Sequence, residues 1–494
     1  MSLYAGLDIG TTTLGAVILD AKTGYLLARN TIANTANATS AAGKRQRRAE
    51  LDLDQLRVLI VEVLAEAMTQ VPDREEVRGI GVTGQMHGVA FLDPNTNPLR
   101  PVITWQDGRV EEQISNGEGT YLQRFISLAG GPRAFDRMGC LPAAGFLGPT
   151  LFWLHLKDQL PPPPARACFV PDAAVAFLTG RPPCTDPTDG GSSGLFDIVA
   201  RQWDWALIER LGLPREIFPQ VQESGEQAGE LLPAVAVQTG LLQGTPVFVA
   251  LGDNQASFLG SVRDPSQSLL LNVGTGSQIS ARIDAFHRLL GLETRSFPGG
   301  RYLLVGAGLF GGRSYAYLRD FFRQVGVAFF GGLGDEELYD EMTRLAAAVP
   351  SGSEELRCSP LFTGTRIDPT LRGSFTGLAP HNFTPGHLAR AVLEGMAEGF
   401  LTFYTQMKPL IGERAALVGS GNGIRRNRLL AEILAERFDI PLYIPALEEE
   451  AATGAALLAA VGTGEFESLD AAAELLRYGK AVTTAGEDSD VRDS

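Results

Sequence analysis

The chain has 494 residues, 44% of them hydrophobic and 20% charged, which is enough apolar content for more than one buried core. A formal net charge of -15 disfavours nonspecific nucleic-acid binding and admits a small anionic substrate only where local basic groups or a metal compensate. No apolar run reaches the roughly 18 residues of a membrane-spanning helix, and Cys140, Cys168, Cys184 and Cys358 lack the CxxC spacing of a zinc or redox site, so they read as reduced thiols.

In chain order, MSLYAGLDIGTTT has no basic leader and enters an apolar strand at once, which points to the cytoplasm. In LDIGTTTLGAVILD two strands flank Gly10, Thr11 and Thr12. The glycine lets the backbone approach an oxyanion, and the turn amides and hydroxyls can donate to phosphate. The alternative is an ordinary hairpin turn. Asp8 ends the first strand, where an unpaired charge is costly, so it is a candidate ligand for hydrated Mg2+, with turn capping as the other reading.

The basic cluster Lys44, Arg45, Arg47 and Arg48 is expected on a solvated loop or helix start, and DLDQLRVLIVEVLAEAMTQV (52–71) has helical periodicity after an acidic start. GVTGQMHGVAFLD (81–93) reads as a strand that sets Gln85, Met86 and His87 side by side before its apolar run resumes. TWQDGR adds Trp105, whose flat face could bound a ligand, and Asp107 with Arg109, which either pair with each other or support a pocket. LPPPPAR (160–166) is a loop rather than a linker, because strand and helix signals resume promptly.

The pattern then restarts. In PVFVALGDNQASFLG, Asp253 follows an apolar strand and a glycine and precedes Asn254 and Gln255 at a helix start. A carboxylate there points to where ligands of open α/β sheets bind, and it could take the proton of an attacking hydroxyl while Asn254 holds a neighbouring one. Helix capping by Asp253 is the alternative. LNVGTGSQISARI repeats the first hairpin with Gly274, Thr275 and Gly276, and two such turns facing each other would grip the phosphates of a nucleotide. Strands alternating with helices give an α/β protein with covered sheets. The last stretch, 479–494, is acidic and aperiodic and is expected to be a disordered tail.

These motifs, in this order, resemble the FGGY carbohydrate kinases. The most specific element is GSFTGLAPHNFTPGHLARAVLE, where Gly373, Phe375, Gly377, Leu378, His387, Leu388, Ala391 and Glu394 fall at the family's second signature spacing. The resemblance runs from Asp8 to Gly462 and implies two actin/ribonuclease H-like domains, 1–248 and 249–478, with a nucleotide and sugar cleft between them. It implies a kinase using ATP and Mg2+ on the terminal hydroxyl of a ketose, sedoheptulose before xylulose, with Asp253 as general base and Asp8 at the metal. Gly10, Thr11, Thr12, Gly274, Thr275, Gly276, Gly312, Gly421 and Asn427 would surround the nucleotide. Gln85, Met86, His87, Trp105, Asp107 and Asn254 would line the sugar pocket.

Expected partners are a small sugar and ATP, with neither nucleic acid nor membrane, in a monomer or homodimer. The sequence departs from the family twice: Gly15 stands where many members carry Lys or Arg, and Thr150 fills the slot of a Lys three positions before Trp153. The superfamily also contains switching ATPases, so a noncatalytic sugar or nucleotide sensor is the alternative of a different class.

Overall fold

The apolar strand runs assemble into two sheets of like design. A computed structural model describes residues 2–483 except 116, 118, 275, 310, 331–334, 363, 365–367 and 369. In the first sheet, Leu3–Ile9, Thr13–Asp20 and Leu26–Ala33 form an antiparallel meander, and Val77–Gly84 lies parallel to Leu3–Ile9. Pro246–Phe248 and Gln227–Glu230 extend that sheet. In the second, Ser268–Val273 and Ser277–Ile283 form the hairpin, Arg301–Leu309 and Glu293–Phe297 continue it, and Ala416–Ser420 lies parallel to Ser268–Val273.

Register makes the likeness specific. Asp8 pairs with Gly15 across the hairpin and with Thr83 on the parallel strand. Asn272 pairs in the same way with Gln278 and Ser420. Each sheet therefore delivers one polar residue and one glycine turn to the same end of its hairpin. Leu251–Gly252 still pairs with Thr83–Gly84, so the first sheet continues past residue 248 before the helix Asp253–Ser261 begins.

Two helices of small residues lie between the sheets. Glu450–Gly462 packs against the first sheet so closely that a Cβ on Gly81 would fall 1.9 Å from the Ala455 carbonyl oxygen. The same helix meets Asp253–Ser261 at Gly454, whose Cβ would lie 2.0 Å from the Ala256 carbonyl oxygen. A core containing Tyr4, Phe248, Phe258, Val305 and Leu457 fills the space between the sheets. The Leu53–Met68 helix, capped by Asp52 as its acidic start suggests, covers the outer side of the first sheet with a second core.

The second signature works as a brace. Thr384 caps the Pro385–Ile411 helix, and Glu394 on that helix accepts from the Gly352 amide at 2.8 Å and the Ser353 hydroxyl at 2.9 Å. Ser353, Glu354 and Glu355 all hold left-handed backbone, φ 49, 48 and 74°, which costs energy in side-chain-bearing residues. Gly377 seals this turn, since a Cβ there would sit 2.4 Å from the Glu355 carbonyl oxygen.

The basic cluster is partly neutralised: Arg47 pairs with Glu111, and Arg48 pairs with Glu112 and lies over the Trp153 ring. All four cysteines are buried. The start of the expected tail is anchored, because Val482 bridges to Leu442 at the second sheet's edge; residues 484–494 lie outside the described residues. No helix among the described residues is long and apolar enough to cross a membrane.

Candidate active site

The first hairpin turn is held open by its own backbone and by Asn34. A Cβ on Gly10 would approach the Thr13 carbonyl oxygen to 2.8 Å, and Asn34 donates from its side chain to the Gly10 oxygen at 2.9 Å and from its amide to the Thr12 oxygen at 2.8 Å. Thr11 and Thr12 stay at least partly exposed. The second turn is built alike: the Gly274 amide donates to the Gly276 oxygen at 3.0 Å, and the Gly312 amide donates to the Gly274 oxygen at 3.0 Å. Gly421 packs against the same turn, its Cβ position 2.7 Å from the Val273 oxygen. Gly274, Gly276, Gly312 and Gly421 therefore converge, while Thr275 lies outside the described residues. Asn427 caps the Arg428–Phe438 helix, its side-chain oxygen accepting from the Leu430 amide at 3.0 Å.

Asp8 brings a carboxylate whose Oδ1 is buried with no hydrogen-bond partner. Burial, followed by the negative charges of Asp253, Glu449 and Glu450, pushes its carboxyl up to about 8. Strand register brings these two acids, from opposite halves of the chain, to the same end of the first sheet: Asp8 pairs with Thr83, and Gly252, next to Asp253, pairs with Gly84. Asp253 is the first residue of its helix, and Gly252 is the cap with no side-chain capping bond, so helix capping does not occupy the Asp253 carboxylate. Burial raises Asp253 to about 6, while the Arg295 guanidinium and the Asn254 amide oppose the rise.

The Gln85–His87 turn meets this carboxylate's element directly. A Cβ on Gly252 would lie 2.6 Å from the Met86 methyl, so the thioether packs on the residue preceding Asp253. Gln85 is 2% exposed, and both its side-chain nitrogen and oxygen are buried without partners. His87 takes left-handed backbone at φ 74°, stacks on Phe146 at 4.2 Å, and places Nδ1 3.0 Å from the Ser192 carbonyl oxygen. Asn254 leaves its Nδ2 buried and unpartnered. Unmatched buried donors and acceptors are expensive unless a ligand completes them.

Trp105 stays exposed, and its indole N–H donates to Thr11. Asp107 is different: Oδ1 accepts from the Arg109 amide and Nε, and Oδ2 from the Ala49 amide and Arg109 Nη2. These four bonds fill both oxygens, so the pairing alternative describes Asp107.

Both departures from the family pattern have structural counterparts. At Gly15 the space for a side chain is taken by Glu449, whose Oε2 would lie 2.6 Å from a Cβ. Thr150 is 1% exposed within the Leu147–Leu156 helix, where a lysine would have to bury its ammonium. The sequence reading missed Asn34, Ser192, Arg295 and Glu449, which act through contacts distant in sequence. The repeated spacing of the hairpins gave no signal for them.

Comparison with known proteins agrees with this geometry. The model of the N-terminal domain of the FGGY family of carbohydrate kinases matches residues 3–260, and that of the C-terminal domain matches 280–463. The chain is 26% identical over 479 residues to a xylulose kinase of Lactococcus lactis subsp. lactis, covering 95% of this chain and 90% of that one. It is 28% identical over 491 residues to the sedoheptulokinase of Homo sapiens, covering 92% and 96%. The crystal structure of xylulose kinase from Rhodospirillum rubrum superposes with a TM-score of 0.82 at 25% identity, covering 98% of this chain and 94% of that one. With paired hairpins in two matching sheets and both family models spanning most of its length, the chain belongs to the FGGY family of carbohydrate kinases and is an ATP-dependent sugar kinase.

Proposed function

We propose that this kinase phosphorylates the terminal hydroxyl of a ketose, sedoheptulose first and xylulose as the alternative, with Asp253 as general base. The observation that carries the reading is the packing of Met86 on Gly252, which sets the polar Gln85–His87 turn beside the Asp253 carboxylate. A polyol needs directional donors and acceptors, and the unpartnered groups of Gln85 and Asn254 supply them around an apolar Met86 wall. The run TGQMHGV, TWQDGR and GDNQAS, with the likeness to human sedoheptulokinase, supports the seven-carbon sugar; the likeness to xylulose kinases supports the five-carbon one.

In the proposed reaction Asp253 accepts the proton of the attacking hydroxyl as its oxygen bonds to the γ-phosphorus of ATP, and the bond to the β-phosphate oxygen breaks to give ADP. The two glycine hairpins bind the phosphates through turn amides and hydroxyls. Asp8 fits a hydrated Mg2+: its Oδ1 is unpartnered beside further acidic charge. No group of three or more His, Cys, Asp or Glu among the described residues could cage a metal, which suits an ion that keeps its waters. When bound, Mg2+ would neutralise phosphate charge.

The test is ADP release with Mg·ATP against sedoheptulose, D-xylulose, D-ribulose, L-ribulose, D-gluconate and glycerol, beside Asp253→Ala. The highest kcat/KM for sedoheptulose, lost in the variant, supports the reading. A lead by another sugar corrects the substrate, and no ADP release with any of them overturns the ketose reading.

A further inference from the structure

Asn254 has a planar amide whose two ends differ only in hydrogen-bonding character, so something must decide which end faces the sugar. Its Oδ1 accepts from Arg295 Nη1 at 2.9 Å, and its Nδ2 is buried without a partner. Arg295 can only donate. Turning the amide over would set its NH2 against the guanidinium, donor to donor, and leave both unpaired in a site where Asn254 is 5% exposed.

Arg295 is itself held. Its Nε and Nη2 donate to Glu293 at 3.0 and 2.6 Å, and Nη1 also reaches Gln278 Oε1 at 3.4 Å. Glu293 and Arg295 lie on the Glu293–Phe297 strand, and Gln278 lies on the strand leaving the second phosphate hairpin. The residues next to this pair are bonded in the opposite sense: Gln255 donates to the Ser296 carbonyl oxygen at 2.9 Å, which leaves its own Oε1 buried and unpartnered. One strand therefore fixes two successive amides of the Asp253–Ser261 helix, one showing a donor and the other an acceptor.

We propose that Arg295 is a positioning residue for sugar recognition, fixing the Asn254 amide so that Nδ2–H2 is presented to an acceptor oxygen of the sugar. The proposal rests on the reading of Asn254 as a sugar ligand. With Glu293 taking two of its bonds, Arg295 reaches the sugar through Asn254, and its separate pull on Asp253 belongs to kcat and its pH dependence rather than to the sugar KM.

The experiment is steady-state kinetics with the best ketose for Asn254→Ala, Asn254→Asp, Arg295→Met and Arg295→Lys, and for the Asn254→Ala/Arg295→Met double variant. Asn254→Ala and Arg295→Met should each raise the sugar KM about tenfold while the ATP KM stays within about twofold. The double variant should be no worse than about twofold beyond the weaker-binding single variant, the sign of two residues acting as a unit. Asn254→Asp retains an acceptor for Arg295 but loses the donor, so it should lose sugar affinity as Asn254→Ala does. It keeps the test open should Arg295→Met fail to fold, and Arg295→Lys should restore part of the loss. An unchanged sugar KM in Arg295→Met and Arg295→Lys beside a raised one in Asn254→Ala overturns the proposal, as does multiplication of the two effects in the double variant. An unchanged sugar KM in Asn254→Ala and Asn254→Asp removes the underlying reading of Asn254 and the proposal with it.

Discussion

The indole N–H of Trp105 donates a 2.9 Å hydrogen bond to Oγ1 of Thr11, joining the wall of the proposed sugar pocket to the first glycine hairpin, the proposed phosphate site. With its oxygen accepting from the indole, the Thr11 hydroxyl has its own proton free to turn toward phosphate. Trp105→Phe keeps a ring and removes this bond. The expected result is a rise in ATP KM with a fall in kcat, each about 3-fold to 10-fold. Steady-state kinetics with varied ATP checks it, and wild-type values for both constants would show that the bond does not couple the two subsites.

Asp253→Asn preserves shape and removes the proton acceptor. Turnover should fall about 10²-fold to 10⁴-fold, the usual contribution of a positioned general base, with nucleotide affinity retained. Calorimetric titration with an ATP analogue separates the two quantities. Turnover within about tenfold of wild type would sink the base assignment.

The same carboxylate sets a pH limb. Burial raises Asp253 to about 6 against the pull of Arg295, and a base works unprotonated, so kcat/KM should fall as pH drops through about 6. A rate profile from pH 5 to 8 at saturating Mg2+ reads this directly. A flat profile down to pH 5 contradicts it.

Stability should respond to pH in the opposite direction from that of most acidic groups. Asp189 has both carboxylate oxygens buried without partners, and burial, with the charges of Asp172, Asp186 and Asp253, raises it well above the ordinary range. Asp172 is raised likewise by burial, and Asp186 reaches about 6. The folded state thus holds protons that the unfolded chain releases, so stability is greatest below about pH 4 for these groups and declines as pH rises through the folded values. Asp189→Asn keeps the neutral form permanently. Its melting temperature should exceed that of wild type at pH 8, with the difference shrinking as pH falls toward about 4; a lower value at pH 8 refutes the argument.

Gly454 lies where two helices touch backbone to backbone, so no side chain can move aside to admit a larger residue. Gly454→Val should cost roughly 1–3 kcal/mol or more from overpacking. Because the displaced helix begins with Asp253, activity should fall more than thermal stability alone predicts. Denaturation curves and residual kcat measured together test it, and a variant with wild-type stability would show that the contact is slack.

How much of the site was legible follows from the range of each interaction. The hairpins could be read because a glycine turn between two apolar strands is a local device, and the Gly10 and Gly274 turns bear it out. Asp253 could be located at a strand's end, but its competing role as helix cap was separated only when Gly252 took the cap position. Asp107 could not be assigned from spacing, because its full set of partners includes the Ala49 amide from another part of the chain. Asn427, expected around the nucleotide from the resemblance, spends its side-chain oxygen on the Leu430 amide as a helix cap, a use the spacing did not distinguish.

The amino-acid sequence by itself determined the two-sheet α/β plan, the glycine turns and the capped helices, since strand periodicity, glycine conformation and capping bonds act over a few residues. Only the tertiary structure decided that Asp8 shares a field with Asp253, that Glu449 fills the space over Gly15, and that Arg295 turns the Asn254 amide. Electrostatic coupling, steric occupancy and amide orientation depend on distances between elements far apart in the chain, and those distances exist only once both sheets have packed on the helices between them.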